Sequence, residues 1–275
     1  MPLFRRTAAV TGPPPSGLGM ETISIPSGSG RELAGWYAPR EGASATVLLL
    51  HPFRGDRRAM LERATLLLEA GYAVLLIDLQ AHGESPGEQI TMGFREREDV
   101  IAAVGFIRET SPEHRIGVIG WSLGGASALL ASPLEIDALV LESVFPSLEE
   151  AIHNRVSQRL GVLNQILAPV LLTQLEPRLG FDPSDVCPIE RISQVGCPVL
   201  VASGDQDRHT TLSETERLFA AAREPKQLVI FPGAEHVDLL NDDPQKYREI
   251  VAFLDRHLRD VASHEARGAG LASGR

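Results

Sequence analysis

The sequence predicts an α/β architecture in which a mostly parallel sheet is covered by helices on both faces. Three observations carry that expectation. Short, near-continuous apolar runs alternate with longer stretches in which apolar residues recur every three or four positions. The short runs lack the in-out alternation of a half-exposed strand, as strands buried on both faces should. The alternation also continues along most of the 275 residues without an internal repeat.

Two relatively polar segments, ETISI at 21–25 and ELAGWY at 32–37, come first and suit an antiparallel edge. Six buried strands follow: TVLLL at 46–50, AVLLI at 73–77, IGVIG at 116–120, ALVLE at 138–142, PVLVA at 198–202 and QLVIF at 227–231. Helical patterns fall between or after them at 58–70, 93–109, 123–131, 213–222 and 244–258. The stretch 144–192 breaks the rhythm. It is longer than an ordinary crossover, opens with a helical pattern, and is then punctuated by Pro169, Pro177, Pro183 and Pro188, which suggests a small helical cap inserted over the sheet. Residues 1–19, with Pro13, Pro14 and Pro15 and three glycines, and residues 262–275, which are small and polar, read as flexible tails around a domain spanning 20–261.

A formal charge of −10, from 36 acidic against 26 basic residues, argues against bulk affinity for nucleic acid or an anionic membrane. Cys187 and Cys197 form no C-x-x-C pair, and no spacing of ligands suggests a metal. The N-terminus lacks the apolar core of an export signal, and no apolar run reaches the roughly 20 residues of a membrane span. A cytoplasmic protein without a stable membrane anchor is the expectation; its oligomeric state is open.

The chemistry gathers where strands end. Gly120–Gly125 reads G-W-S-L-G-G directly after one apolar strand and before an apolar helix, which places Ser122 on a tight strand-to-helix turn. A serine hydroxyl needs a base to take its proton and a third group to orient that base. His236, just after the last strand, and Asp207, after the strand before it, follow Ser122 in the order Ser, acid, His. His51, His82 and His209 also stand beside strand ends, so position alone does not single out His236. Asp205, and Glu142 at the end of its strand, are alternative acids.

These motifs resemble the α/β-hydrolase superfamily over most of the chain. L-L-L-H-P-F-R-G is similar to the family's oxyanion loop, and D-L-Q-A-H-G-E-S, 78–85, to the segment after its next strand. By that resemblance the fold is the α/β-hydrolase fold, and the backbone N–H groups of Phe53 and Leu123 form an oxyanion hole. Pro52 stands where the family usually has glycine, but the donor falls one residue later. Asp78 is expected to hold the turn that carries His82, Glu84 and Ser85, and Arg54 to pair with Asp56, with engagement of an acidic substrate group as its alternative role beside the oxyanion donor. The implied activity is a serine hydrolase that cleaves a small-molecule carboxylic ester or related acyl bond without a cofactor. An aminopeptidase, an acyltransferase, a carbon–carbon hydrolase or a non-catalytic binding member of the fold are the other readings. If the cap covers the serine, Phe145, Leu163 and Ile166 line an apolar substrate pocket; internal packing is the competing role for each.

Overall fold

The computed structural model describes residues 4–160 and 164–259, with side chains described outside 160–166. Among the described residues ten strands form: β1 (Thr7–Ala8), β2 (Glu21–Pro26), β3 (Glu32–Ala38), β4 (Ala45–Leu50), β5 (Ala73–Ile77), β6 (His82–Gly83), β7 (Arg115–Trp121), β8 (Ala138–Glu142), β9 (Val199–Gly204) and β10 (Lys226–Phe231). Eight of them make one sheet in the order β10-β9-β8-β7-β4-β5-β3-β2. From β5 to β10 all neighbours are parallel, while β3 runs antiparallel to both β5 and β2. The two polar segments are thus the antiparallel edge expected of them.

The apolar runs divide by period two between two cores, because successive strand side chains leave opposite faces. Leu48, Leu50, Leu75, Ile77, Ile116 and Val118 belong to one core; Val47, Leu49, Val74, Leu76 and Ile119 belong to the other. Helices α2 (Glu96–Thr110), α3 (Leu123–Leu130) and α8 (Leu212–Ala221) cover the first face, burying Val100, Ala103, Ile107, Leu129 and Leu218. Helices α1 (Leu61–Glu69) and α10 (Pro244–Leu258) cover the second with Ala64, Leu67, Tyr247, Ile250 and Phe253. The expected start of the first helix at residue 58 is a 3-10 turn, Arg57–Met60, capped by the Asp56 carboxylate before α1 begins. The connection from β4 to β5 crosses by α1 and that from β7 to β8 by α3. The neighbours β4 and β7 therefore send their chains to opposite faces, and their carboxyl ends form a switch point where a crevice opens.

Between β8 and β9, in the stretch 144–192, lie α4 (Leu148–Leu160), α5 (Asn164–Thr173), α6 (Glu176–Leu179) and α7 (Pro188–Arg191), followed later in the chain by the short α9 (Leu239–Asp242) before α10. Leu148, Ala151 and Ile152 seat α4 on the first core, and Phe181 stacks on Phe94 with ring centroids 4.4 Å apart.

The N-terminal segment departs from the expected flexible tail. Phe4 is buried in the first core, β1 pairs in parallel with β6, and the N–H groups of Thr11 and Gly12 both donate to Glu84 Oε1 at 3.1 Å. Proline and glycine content marks a segment without helix or sheet of its own, but it does not prevent one aromatic anchor and a few backbone bonds from strapping that segment down. The expected tail 262–275 lies outside the described residues. Phe4→Ala should lower the unfolding free energy by about 2–3 kcal/mol in urea titration, as for a buried aromatic near a domain margin; an unchanged midpoint would show the strap to be loose.

Candidate active site

Ser122 caps α3 with φ 50° and ψ −108°, a positive φ that a non-glycine residue adopts only under strain. Its N–H donates to the Glu142 carbonyl of β8 at 2.7 Å, which fixes the turn to the sheet. Glycine is required on either side by close approach. A Cβ on Gly124 would overlap the Leu50 backbone, and one on Gly120 would overlap Gly125, so only bare backbone lets α3 start this near β4 and β7. Leu123 is the first residue of α3, so its N–H has no partner within the helix. Arg54, Ala81, Met92 and Ser143 also have positive φ, and all lie in the loops that follow the strand ends. Backbone strain gathers where the loops converge on Ser122.

Asp207 and His236 meet. His236 Nδ1 lies 2.7 Å from Asp207 Oδ2, while Oδ1 of the same carboxylate accepts the N–H groups of His209 at 2.7 Å and Thr210 at 2.9 Å. The acid is almost fully buried and acts only as an acceptor, and the imidazole is partly exposed. Asp205 instead accepts the Gly233 N–H at 2.7 Å, pinning the loop that carries His236 to the end of β9. Glu142 is committed elsewhere: both its oxygens bond the buried Arg63 guanidinium, and Tyr247 donates its hydroxyl to Oε1 at 2.5 Å. Of the three carboxylates weighed from the sequence, only Asp207 reaches His236. Ser122 Oγ makes no hydrogen bond among the described residues and is nearly buried.

The loop after β4 is built on two histidines. Pro52 and Gly55 close a turn, with the Gly55 N–H donating to the Pro52 carbonyl at 3.0 Å, and this turn holds Phe53 and the left-handed Arg54 at its centre. His51 Nδ1 donates to the Pro52 carbonyl and its Nε2 accepts the Leu79 N–H. His82 Nδ1 donates to the Gln80 carbonyl and its Nε2 accepts the Arg54 N–H. A carbonyl can only accept and an N–H can only donate, so these partners fix both rings as neutral with the proton on Nδ1. Burial lowers each from 6.5 to about 4, and for His82 the neighbouring His51 adds to the effect. Asp78 holds its turn as expected, accepting the N–H groups of Arg57 and Glu84 beside the buried Arg57 guanidinium, which also reaches Glu84 Oε2 at 2.5 Å. The expected Arg54–Asp56 pair does not form. Asp56 caps the 3-10 turn, and Arg58, two residues on, lies directly over it at 2.7 Å, leaving Arg54 exposed.

Of the expected pocket residues, Phe145, three residues beyond the end of β8, is packed into the first core. Leu163 and the Ile166 side chain lie outside the described residues. A narrow crevice with room for about one water, ≈ 20 Å³, instead runs between Phe53 and α4, walled by Met92, Leu148, Ala151 and Ile152. Phe4 lines it and also the adjoining groove against Leu175 and Leu179. Arg155 completes the lining. Sequence reading missed Phe4 and Arg155, and it left His209, whose ring stands 5.1 Å from that of His236, among the alternatives. The i, i+3, i+4 spacing of Leu148, Ala151, Ile152 and Arg155 is the signal that could have placed Arg155 on the inner face of α4.

Residues 47–250 match the family model described as the alpha/beta hydrolase family. The chain belongs to that family. It is 35% identical to the Mycobacterium tuberculosis protein Rv2307c over 78% of this chain and 72% of that one. It is 28% identical to YqkD of Bacillus subtilis over 84% and 78%. Among solved structures, the Pyrococcus furiosus esterase Pf2001 superposes with a TM-score of 0.76 at 24% identity, covering 93% of this chain and 98% of that one, a likeness of fold. Among the described residues no helix is long and apolar enough to cross a membrane, and no cluster of three or more potential metal ligands occurs.

The buried neutral histidines make acid stability predictable. Between pH 6.5 and about 4 the unfolded chain takes up protons on His51 and His82 that the native chain does not, so stability is full above 6.5 and falls as pH drops. Asp99 works the other way, since burial raises it to about 7 and the native state keeps a proton that the unfolded carboxylate releases. Burial also lowers His114, His209 and His257 and raises Asp78, so lowered imidazoles outnumber raised carboxyls and stability should fall as the pH drops from 6.5 to 4.5. Urea midpoints measured at pH 7 and pH 5 test this; equal midpoints would contradict it.

Proposed function

We propose that this protein is a serine hydrolase that cleaves carboxylic esters of small molecules by acyl transfer through Ser122. The reading is carried by the His236–Asp207 bond at 2.7 Å, formed by an acid whose other oxygen is already held by two backbone N–H groups. A carboxylate fixed in that way orients the imidazole with its proton on Nδ1 and leaves Nε2 as the base that takes the proton of Ser122. The hydroxyl oxygen adds to the acyl carbonyl, and the negative charge on the carbonyl oxygen is received by the N–H groups of Phe53 and Leu123. His236 then protonates the departing alcohol oxygen, and water repeats the sequence on the acyl-enzyme to release the acid and free the serine. The strained φ of Ser122 and the glycines around it support the reading, since they hold the hydroxyl at the head of a helix where developing anionic charge is favoured. The two histidines beneath the Phe53 turn support it too, because their hydrogen bonds to the Pro52 carbonyl and the Arg54 N–H fix that turn.

A fluorophosphonate probe should label the wild-type protein at Ser122. Ser122→Ala should lose the label and roughly 10⁴-fold or more of its p-nitrophenyl butyrate turnover while melting at an unchanged temperature. Full turnover by that variant would end the assignment.

Asp207, Asp205 and Glu142 should separate by readout. Asp207→Asn should lower kcat by about three to four orders of magnitude with little change in KM, because the amide favours the wrong tautomer of His236. Asp205→Asn should have a much smaller effect. Glu142→Gln should act mainly on stability, costing about 3–5 kcal/mol by leaving Arg63 short of its charge partner. A mild Asp207→Asn beside a crippling Asp205→Asn would reassign the acid.

A further inference from the structure

Arg155 is a cation without an assigned task. It lies on the face of α4 that looks onto the crevice, in the same lining as Phe53. Among the described residues its guanidinium makes one hydrogen bond, from Nη1 to the Ala151 carbonyl one turn earlier at 2.9 Å, and no carboxylate lies within ion-pair distance. Burial lowers its pKa even though the charges of Asp207 and Glu214 act in the opposite direction. Glu214 is occupied by Asn154 and the Thr211 N–H, and Asp207 by His236, His209 and Thr210. A partly buried guanidinium with no carboxylate partner can exchange solvent at its remaining donors for an anion.

A second polar group waits beside it. His209 Nδ1 is buried and has no hydrogen-bond partner among the described residues, and the nearness of Arg155, after burial itself, is a cause of the lowered pKa of His209. Around the opening, Arg54 is exposed next to Phe53, Arg208 is exposed between Asp207 and His209, and Arg159 is exposed one turn beyond Arg155 and within electrostatic reach of His209. Glu235, exposed before His236, and Asp205, which accepts the Gly233 N–H, are acidic residues on the same loops. In a protein of net charge −10, Arg155 in the crevice lining, with Arg159 acting on the neighbouring His209, places positive charge where a small anion could be received.

We propose that the ester substrate carries an anionic group, and that Arg155, with His209 Nδ1 at its side, receives that group while Ser122 attacks the ester carbon. This deepens the serine-hydrolase reading and rests on it. The anionic group could stand on the acyl chain or on the departing alcohol, and the two sources are separable. Acyl-borne charge is tested by mono-p-nitrophenyl glutarate against p-nitrophenyl pentanoate, and alcohol-borne charge by 4-carboxyphenyl acetate against 4-methoxycarbonylphenyl acetate.

In one of these pairs the wild-type protein should show a kcat/KM at least tenfold higher for the anionic ester, an advantage that shrinks with added salt. Arg155→Gln should reduce that ratio at least tenfold, chiefly through KM, and Arg155→Lys should restore part of it. A guanidinium that merely steadied Asp207 would move both esters of a pair together and leave the ratio unchanged, which would overturn the proposal, as would a wild-type ratio of one or less in both pairs. Binding is measured independently of turnover by titrating glutarate and following the His209 imidazole by NMR. Saturable shifts in the wild-type protein that weaken at least tenfold in Arg155→Gln support the anion site; no shift overturns it. Turnover failing on every ester while glutarate still binds would sink the hydrolase reading and leave the anion site standing.

Discussion

Two buried arginines from one short segment hold the candidate site together. Arg57, in the 3-10 turn after β4, packs over the Trp36 ring and reaches Asp78 and Glu84. It thereby ties the Phe53 loop to the loop after β5 and, through Glu84, to the N-terminal strap. Arg63, six residues later in α1, bonds Glu142 at the end of β8, Asp238 in the loop beyond His236, and lies over the rings of Trp121 and Tyr247. The loops that carry Phe53, Asp207 and His236 are each held by one of these guanidiniums or by Asp207 or Asp205. A planar fork with five donors can serve several loops at once, which no apolar side chain can do.

The sheet and its two apolar cores supply the bulk of the stabilisation but do not orient loops, because hydrophobic burial has no direction. Buried ion pairs reverse that balance. Their desolvation cost offsets most of their Coulomb attraction, so they add little net stability, yet their geometry admits few alternatives. In Arg63 the charges of Glu142 and its hydrogen bonds overcome burial and raise the pKa well above its ordinary value. Such rigidity suits loops that carry strained backbone. The positive φ values at Arg54, Ala81, Ser122 and Ser143 persist because carbonyls, histidines and carboxylates on neighbouring loops over-determine them.

Charge is used differently on the two sides of the Phe53 loop. Beneath it, His51 and His82 are neutral and fully bonded, so the loop rests on dipoles rather than on charge. Across the crevice, Arg155 is charged and largely unbonded, and the arginines at the rim are exposed. A fixed neutral floor keeps its geometry whatever occupies the crevice, whereas a cation without a carboxylate partner can exchange solvent for an anion. The same polypeptide thus separates the task of holding a shape from that of selecting a partner.

Period and local chemistry made much of this legible in the sequence. Continuous apolar runs are what a strand covered on both faces needs, and the glycines of G-W-S-L-G-G are what a helix starting against two strands needs, so the sheet, the turn at Ser122 and the positions of Asp207 and His236 could be read residue by residue. Those features depend on neighbours within a few positions. Pairings across the chain do not, and only the folded molecule decided them: Glu142 belongs to Arg63, 79 residues away, and Arg63 also to Asp238, 175 away. Asp56 takes Arg58 rather than Arg54, Phe145 enters the core, Phe4 turns an apparent tail into a strap, and Arg155 is left facing the crevice. A lone arginine, glutamate or phenylalanine has the same local signature wherever it ends up. Its partner is chosen by which loops the sheet order brings side by side, and that order is a property of the whole chain.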